Sequence, residues 1–162
     1  MTKRLTRMSL LTALALIIFT IEAQIPALVP IPGVKLGLAN IITVYAMFCL
    51  GPRDTLLILL CRIFLGSIFS GQMMTLLYSL SGGLLCYLVM IPMRKLVTEQ
   101  QIWVCSILGA LAHNIGQIIA AILIARTPGL IVYLPVLLIS GILTGAFTGF
   151  CAQFVVQRLR KK

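Results

Sequence analysis

Acidic residues are almost missing from this chain of 162 residues: Glu22, Asp54 and Glu99 are the full set. No two of them are neighbours in sequence. Two-metal phosphoryl or diphosphate chemistry needs several carboxylate ligands, so the chain acting alone is not suited to it. There is one histidine, His113, with no acid near it in sequence, which makes a poor metal site. No Gly-x-x-x-x-Gly-Lys-Ser/Thr run occurs, which excludes nucleotide hydrolysis through a P-loop. The five cysteines (Cys49, Cys61, Cys86, Cys105, Cys151) form no Cys-x-x-Cys pair and read as small apolar packing residues. No cofactor, metal ligand set or catalytic residue emerges, and the chain is not expected to be an enzyme.

Charge of either sign is also scarce. Asp, Glu, Lys and Arg make up 10% of the residues, against about 25% in soluble domains. Apolar residues are 60% and the mean hydropathy is +1.13. A water-soluble fold of this size must cover itself with polar side chains, and this chain has too few. Lipid is the alternative solvent. The net charge of +10 would suggest nucleic acid in a soluble protein. Here the basic residues sit between apolar runs, where they orient a membrane protein instead, and no nucleic-acid partner is expected.

A helical span needs about 20 mostly apolar residues. That rule places six spans near residues 8–28, 36–50, 55–70, 73–91, 101–125 and 130–156, in one transmembrane domain covering 1–162. The basic start followed by an apolar run resembles a signal peptide, but no small-x-small cleavage site follows, so it reads as the first span. Pro26, Pro30, Pro32 and Gly33 break the helix after it, Gly51-Pro52 makes a turn, and Pro92 is expected to end the fourth span. The second and third spans are short, and a re-entrant hairpin there would leave four full spans. That would bury Arg53 and Asp54 at a cost of several kcal/mol, so six are preferred.

With the N-terminus inside, ten basic residues (Lys3, Arg4, Arg7, Arg53, Arg94, Lys95, Arg158, Arg160, Lys161, Lys162) fall on the inner side and two, Lys35 and Arg126, on the outer. Such a bias puts both termini in the cytoplasm and the chain in the bacterial plasma membrane as a multi-pass protein.

Small residues at intervals of four let helices approach closely. Gly141, Gly145 and Gly149 do this on the last span, Ser79 and Gly83 on the fourth, and Ser9 and Ala13 on the first. Packing within the bundle is one reading; docking onto a membrane partner is the other, held chiefly for Ser9 and Ala13.

Ionisable residues inside a membrane are costly and mark functional candidates. Arg62 falls at the middle of the third span, His113 at the middle of the fifth, and Glu22 in the outer half of the first. A Glu22–Arg62 ion pair, an anionic ligand on Arg62 and a hydrated cavity are the three readings of Arg62. His113, Asn114 and Gln117 share one helix face, either as an interhelical hydrogen-bonding set or as the wall of a ligand site. Lys35 and Asn40 in the first outer segment, with Gln72 and Tyr78 on the fourth span, either complete a cavity open to the outside or anchor the interface.

The run PGVKLGLANIITVYAMFCLGPRDTLLILLCRIFLGSIFSG resembles the Gx transporter family, also called heptaprenyl diphosphate synthase component I. The Arg-x-x-Leu-Gly-Ser run at 62–67 and AHNIGQ at 112–117 fit it too. That family is in turn similar to the substrate-binding S components of energy-coupling factor transporters, which are six-helix membrane proteins. The resemblance implies an all-α membrane bundle that binds a small organic solute for uptake. It implies a coupling subunit and two ATPases as partners, Ser9 and Ala13 at the coupling contact, and a gate in the first outer loop, about residues 28–35. The rival implication is a membrane accessory of heptaprenyl diphosphate or menaquinone side-chain synthesis. Prenyl elongation relies on Asp-rich motifs, and the chain has one aspartate, so that role would be non-catalytic binding of a partner or lipid.

Overall fold

The computed structural model describes residues 2–25, 35–71 and 73–160. Within them all the regular structure is helical: α1 (Thr2–Glu22), α2 (Asn40–Cys49), α3 (Pro52–Ser70), α4 (Met73–Leu96), α5 (Ile102–Ala125), a 3₁₀ turn (Pro128–Tyr133) and α6 (Leu134–Arg160). Four of these units are long and apolar enough to cross a membrane: α1, α4, α5, and α6 with its 3₁₀ turn. The expected second span is where the six-span count gives way. α2 has 10 residues, or roughly 15 Å of helix, half of a hydrocarbon core of about 30 Å. α3 is longer, with 19 residues, but carries Arg53, Asp54 and Arg62.

Local chemistry explains most boundaries. Gly51 takes φ 99°, a conformation closed to most residues, and Pro52 follows as the first residue of α3. Asp54 in the first turn complements the α3 dipole. Gly71 ends α3 in the left-handed region at φ 64°. Pro92 does not end α4, contrary to expectation; the helix runs a further turn to Leu96. A proline removes one backbone donor, and here the loss falls in the last turns. α1 likewise begins at Thr2, so Lys3, Arg4 and Arg7 are helical.

Glycines set the helix spacing. A Cβ on Gly145 would lie 2.8 Å from the Ile107 Cα, and one on Gly149 2.6 Å from the Trp103 Cα. The glycine stripe of α6 therefore lies against the α5 backbone. Gly116 and Gly82 do the same between α5 and α4, with added Cβ atoms 2.8 Å from the carbonyl oxygens of Ser81 and His113. α1 is more peripheral. It packs against α2 and α3, and Leu10, Leu14, Ile17 and Ile21 remain exposed.

One end of the bundle gathers the basic residues. Arg4 at the start of α1 donates through Nε to Asp54 at the start of α3, 2.8 Å away, and its Nη2 pairs with the other carboxylate oxygen. This holds the Asp54 carboxyl below its ordinary range. Arg160 at the end of α6 donates to the Phe48 carbonyl at 3.4 Å and pairs with Glu99 between α4 and α5. The Tyr87 hydroxyl donates to the Pro52 carbonyl at 3.1 Å. The start of α1, the α2–α3 turn, the α4–α5 connection and the end of α6 thus share one end. The largest apolar core, including Met47, Leu59, Ile63, Cys86, Met90, Cys105 and Val156, fills the half of the bundle next to it.

Candidate functional site

Above that apolar core, away from the basic end, lies a polar cavity. Its walls are Phe19 and Glu22 of α1, Lys35, Gly37 and Ala39 before α2, Arg62 and Ile63 of α3, Ser79 of α4, and His113 and Gln117 of α5. The open space between them is ≈ 10 Å³, room for about one water, so a ligand larger than that requires the walls to part.

Glu22 does not pair with Arg62. Its carboxylate accepts from the backbone N–H of Gly37 at 2.5 Å and of Ala39 at 3.4 Å. Ala39 is the residue before α2, so the carboxylate sits where helix N–H groups point outward and the dipole is positive. Gly37 is held at φ 85°. A Cβ there would come 2.9 Å from the Asn40 Nδ2 and 3.4 Å from the His113 ring. The short segment 35–39 is thereby pinned over the cavity by an acid from α1.

Arg62 is 4% exposed. One Nη donates to the Asn40 Oδ1 at 3.4 Å, and no carboxylate lies within ion-pair distance among the described residues. Lys35 rests its ammonium 3.4 Å from the centroid of the Phe19 ring, a cation–π contact. Burial pushes the Lys35 ammonium below the ordinary lysine range; Glu22 opposes the shift and Arg62 adds to it.

Buried polar atoms are normally paired. Among the described residues, all but one of the buried side-chain nitrogens and oxygens that lack a partner belong to Lys35, Asn40, Arg62, His113, Asn114 and Gln117; the exception is Gln153 Oε1. Gln117 is fully buried, and neither of its amide atoms has a partner. Such a concentration is costly in a folded chain, at about 1–3 kcal/mol for each unpaired group. Asn114 aside, it is the arrangement a polar ligand in the cavity would relieve.

The structure brings Glu22, Lys35, Arg62, His113 and Gln117 to one cavity, with Asn40 bonded to Arg62 at its side. Two expected members stand elsewhere. Tyr78 is buried in an apolar cluster with Ile118, Ala121 and Leu137. Asn114 turns toward α6 and donates to the Leu137 carbonyl at 2.5 Å. The i, i+1 step from His113 rotates it about 100° around the helix, enough to leave the cavity. Gln72 and residues 28–34 of the expected gate lie outside the described residues. Phe19, Gly37, Ala39, Ile63 and Ser79 also line the cavity, beyond the residues that sequence chemistry marks. Phe19 and Ile63 carry no chemical signal in an apolar sequence; Gly37 and Ser79 had weak ones, as a glycine beside a helix start and a small polar residue in a span.

Ser9 and Ala13 are exposed on the outer face of α1. No three His, Cys, Asp or Glu side chains converge as metal ligands among the described residues.

No curated protein and no solved structure gives a significant match to this chain. A family model described as heptaprenyl diphosphate synthase component I matches residues 11–155, nearly the whole length, and the chain belongs to that family.

Proposed function

We propose that this protein is a membrane-embedded, solute-binding subunit of the S-component kind, which takes a small organic solute from outside the cell and works with a coupling subunit and ATPases. The observation that carries this reading is the set of buried, unpartnered polar groups around one cavity. Groups placed so would be expensive in a purely structural bundle. The cavity has an apolar floor toward the basic end and a short pinned segment over it, as one-sided access requires. With the basic end taken as cytoplasmic, six helices would form the bundle, both termini would be inside, and the cavity would open outward. The exposed Ser9–Ala13 face of α1 is the surface offered to a coupling subunit. The role is binding rather than catalysis.

The test is native mass spectrometry of the full chain in lipid nanodiscs, paired with co-purification from cells expressing a coupling subunit and its ATPases. A retained small molecule and a stable complex are expected. Failure of both would sink the reading.

A second reading rests on the family description: a non-catalytic membrane accessory that recruits a soluble prenyl diphosphate synthase. It would use the basic end, where Arg53 and the Gly51–Pro52 turn line a shallow surface cleft with Arg4. Pull-down with the soluble synthase separates the two. Under this reading association survives Arg62→Ala and is lost when Arg53 and Arg94 are replaced together.

A further inference from the structure

The cavity carries a charge imbalance that its own residues do not resolve. Lys35 and Arg62 bring two positive charges to the lining, and Glu22 brings one negative charge. Both Glu22 oxygens are already engaged by the backbone of Gly37 and Ala39. Neither cation has a carboxylate in contact: Lys35 lies on the Phe19 ring, and Arg62 has one long bond to a neutral amide. Two buried cations held so are costly, and a charge-assisted partner is what each lacks.

The hydrogen-bond inventory points the same way. Lys35 Nζ and Arg62 Nε have no acceptor. Because the Asn40 Oδ1 accepts from Arg62, its Nδ2 is free to donate, and that atom has no partner either. The lining therefore offers donors in excess. Gln117 adds one donor and one acceptor side by side, both unused.

Resting on the solute-binding reading above, we infer that the solute is a small monoanion of the carboxylate class, whose negative group is taken by Arg62 and Lys35 while a neutral polar edge meets Gln117. One negative charge brings the lining and its ligand to neutrality. A cation would add to the imbalance. A phosphate monoester, near −2 at neutral pH, or a diphosphate would overshoot it in a buried site where residual charge is poorly tolerated. The Phe19 ring, from which the Lys35 ammonium would swing toward the anion, is left as an apolar wall for the rest of the solute.

The experiment uses the full chain in nanodiscs and reads thermal stabilisation by added solutes. A small-molecule cell extract is separated by ion exchange into cationic, neutral, monoanionic and multiply anionic fractions, with inorganic pyrophosphate as an added multianion probe. The monoanionic fraction is expected to stabilise the protein. Lys35→Gln and Arg62→Gln should each weaken that response about ten- to a hundredfold in the concentration needed. Lys35 lies outside the helices, so Lys35→Gln supplies the result if Arg62→Gln fails to fold. Stabilisation by the neutral, cationic or multianionic fraction in place of the monoanionic one would overturn the charge assignment and leave solute binding standing. An unchanged monoanion response in Lys35→Gln and in any folded Arg62→Gln would also overturn it. If no fraction stabilises the wild-type chain, the solute-binding reading falls along with the inference.

Discussion

Arg62 and Glu22 are the residues on which the proposed function turns, and each is read differently once its neighbours are known. A buried acid and a buried arginine in an apolar chain invite pairing. Instead, Glu22 holds the backbone of segment 35–39, which leaves Arg62 with no carboxylate in contact among the described residues. Replacing Glu22 by Gln leaves one acceptor where there were two and removes the charge at the start of α2. Amide hydrogen exchange at Gly37 and Ala39 should then accelerate at least about tenfold, the loss of one charged hydrogen bond, while the amides of α5 keep their protection. Equal acceleration throughout would mean that Glu22 stabilises the whole bundle and not this segment. Gly37→Ala tests the same segment from the other side. With φ at 85° and the Asn40 amide 2.9 Å from the new Cβ, it should destabilise by about 1–3 kcal/mol, seen as a lower thermal midpoint in nanodiscs.

Among the elements, α1 and α6 stand at opposite extremes. α6 gives its glycine stripe to α5, so a large side chain there must separate two backbones. Gly149→Leu, aimed at the Trp103 Cα, is expected to cost at least about 1–3 kcal/mol by overpacking or to prevent assembly. α1 has Ser9 and Ala13 exposed. Ser9→Trp should therefore leave the stability of the isolated chain within about 0.5 kcal/mol of wild type, as for most surface changes, seen as a nearly unchanged thermal midpoint. Under the solute-uptake proposal, the same variant should lose its coupling subunit in co-purification. Retention of the complex would move the docking surface off this face. The two stripes look alike in sequence, each a set of small residues four apart. What separates them is whether another helix lies across the stripe, which is a tertiary fact. Pro92 teaches the same lesson at a boundary: its cost depends on how much helix follows it, and α4 has only one more turn to make.

For the whole molecule, the distribution of charge along the chain becomes a distribution in space. Arg4–Asp54 and Arg160–Glu99 tie four separate segments to one end. Asp54 titrates below its ordinary value of 3.8 because Arg4 hydrogen-bonds it. A depressed carboxylate contributes stability that is present above the unfolded value and lost as pH falls through the lower, folded value. The thermal midpoint should therefore hold from neutral pH down to about pH 5 and drop below about pH 4. Asp54→Asn should lower the midpoint at neutral pH and flatten that drop; an unchanged acid profile would remove the Arg4–Asp54 pair as its cause. Orientation is tested with a membrane-impermeant thiol reagent on a variant lacking the native cysteines. A cysteine at Thr98, between α4 and α5, should react only from the cytoplasmic side, and one at Thr127, between α5 and α6, only from outside. The reverse pattern would turn the cavity toward the cytoplasm and end the uptake reading.

The helical class, the membrane solvent and the alternation of basic and apolar segments were determined by the sequence alone, because they follow from composition and from runs of about 20 residues. The residues of the candidate site were partly legible for a similar reason. A charge or an amide in an apolar span is costly wherever it lies, so Glu22, Arg62, His113 and Gln117 stood out before any fold was known. Partnership was not legible. Which oxygen Glu22 offers to which amide, that Asn114 turns to α6 while Gln117 faces the cavity, and that Tyr78 packs among aliphatic side chains all depend on the rotation of helices brought together from distant parts of the chain. The length of α2 was hidden as well, since hydropathy does not register the backbone turn at Gly37 that delays its start. Only the tertiary structure decided that two cations and one engaged acid share a single cavity. A sequence can mark each buried charge as expensive, but what compensates it is set by distance.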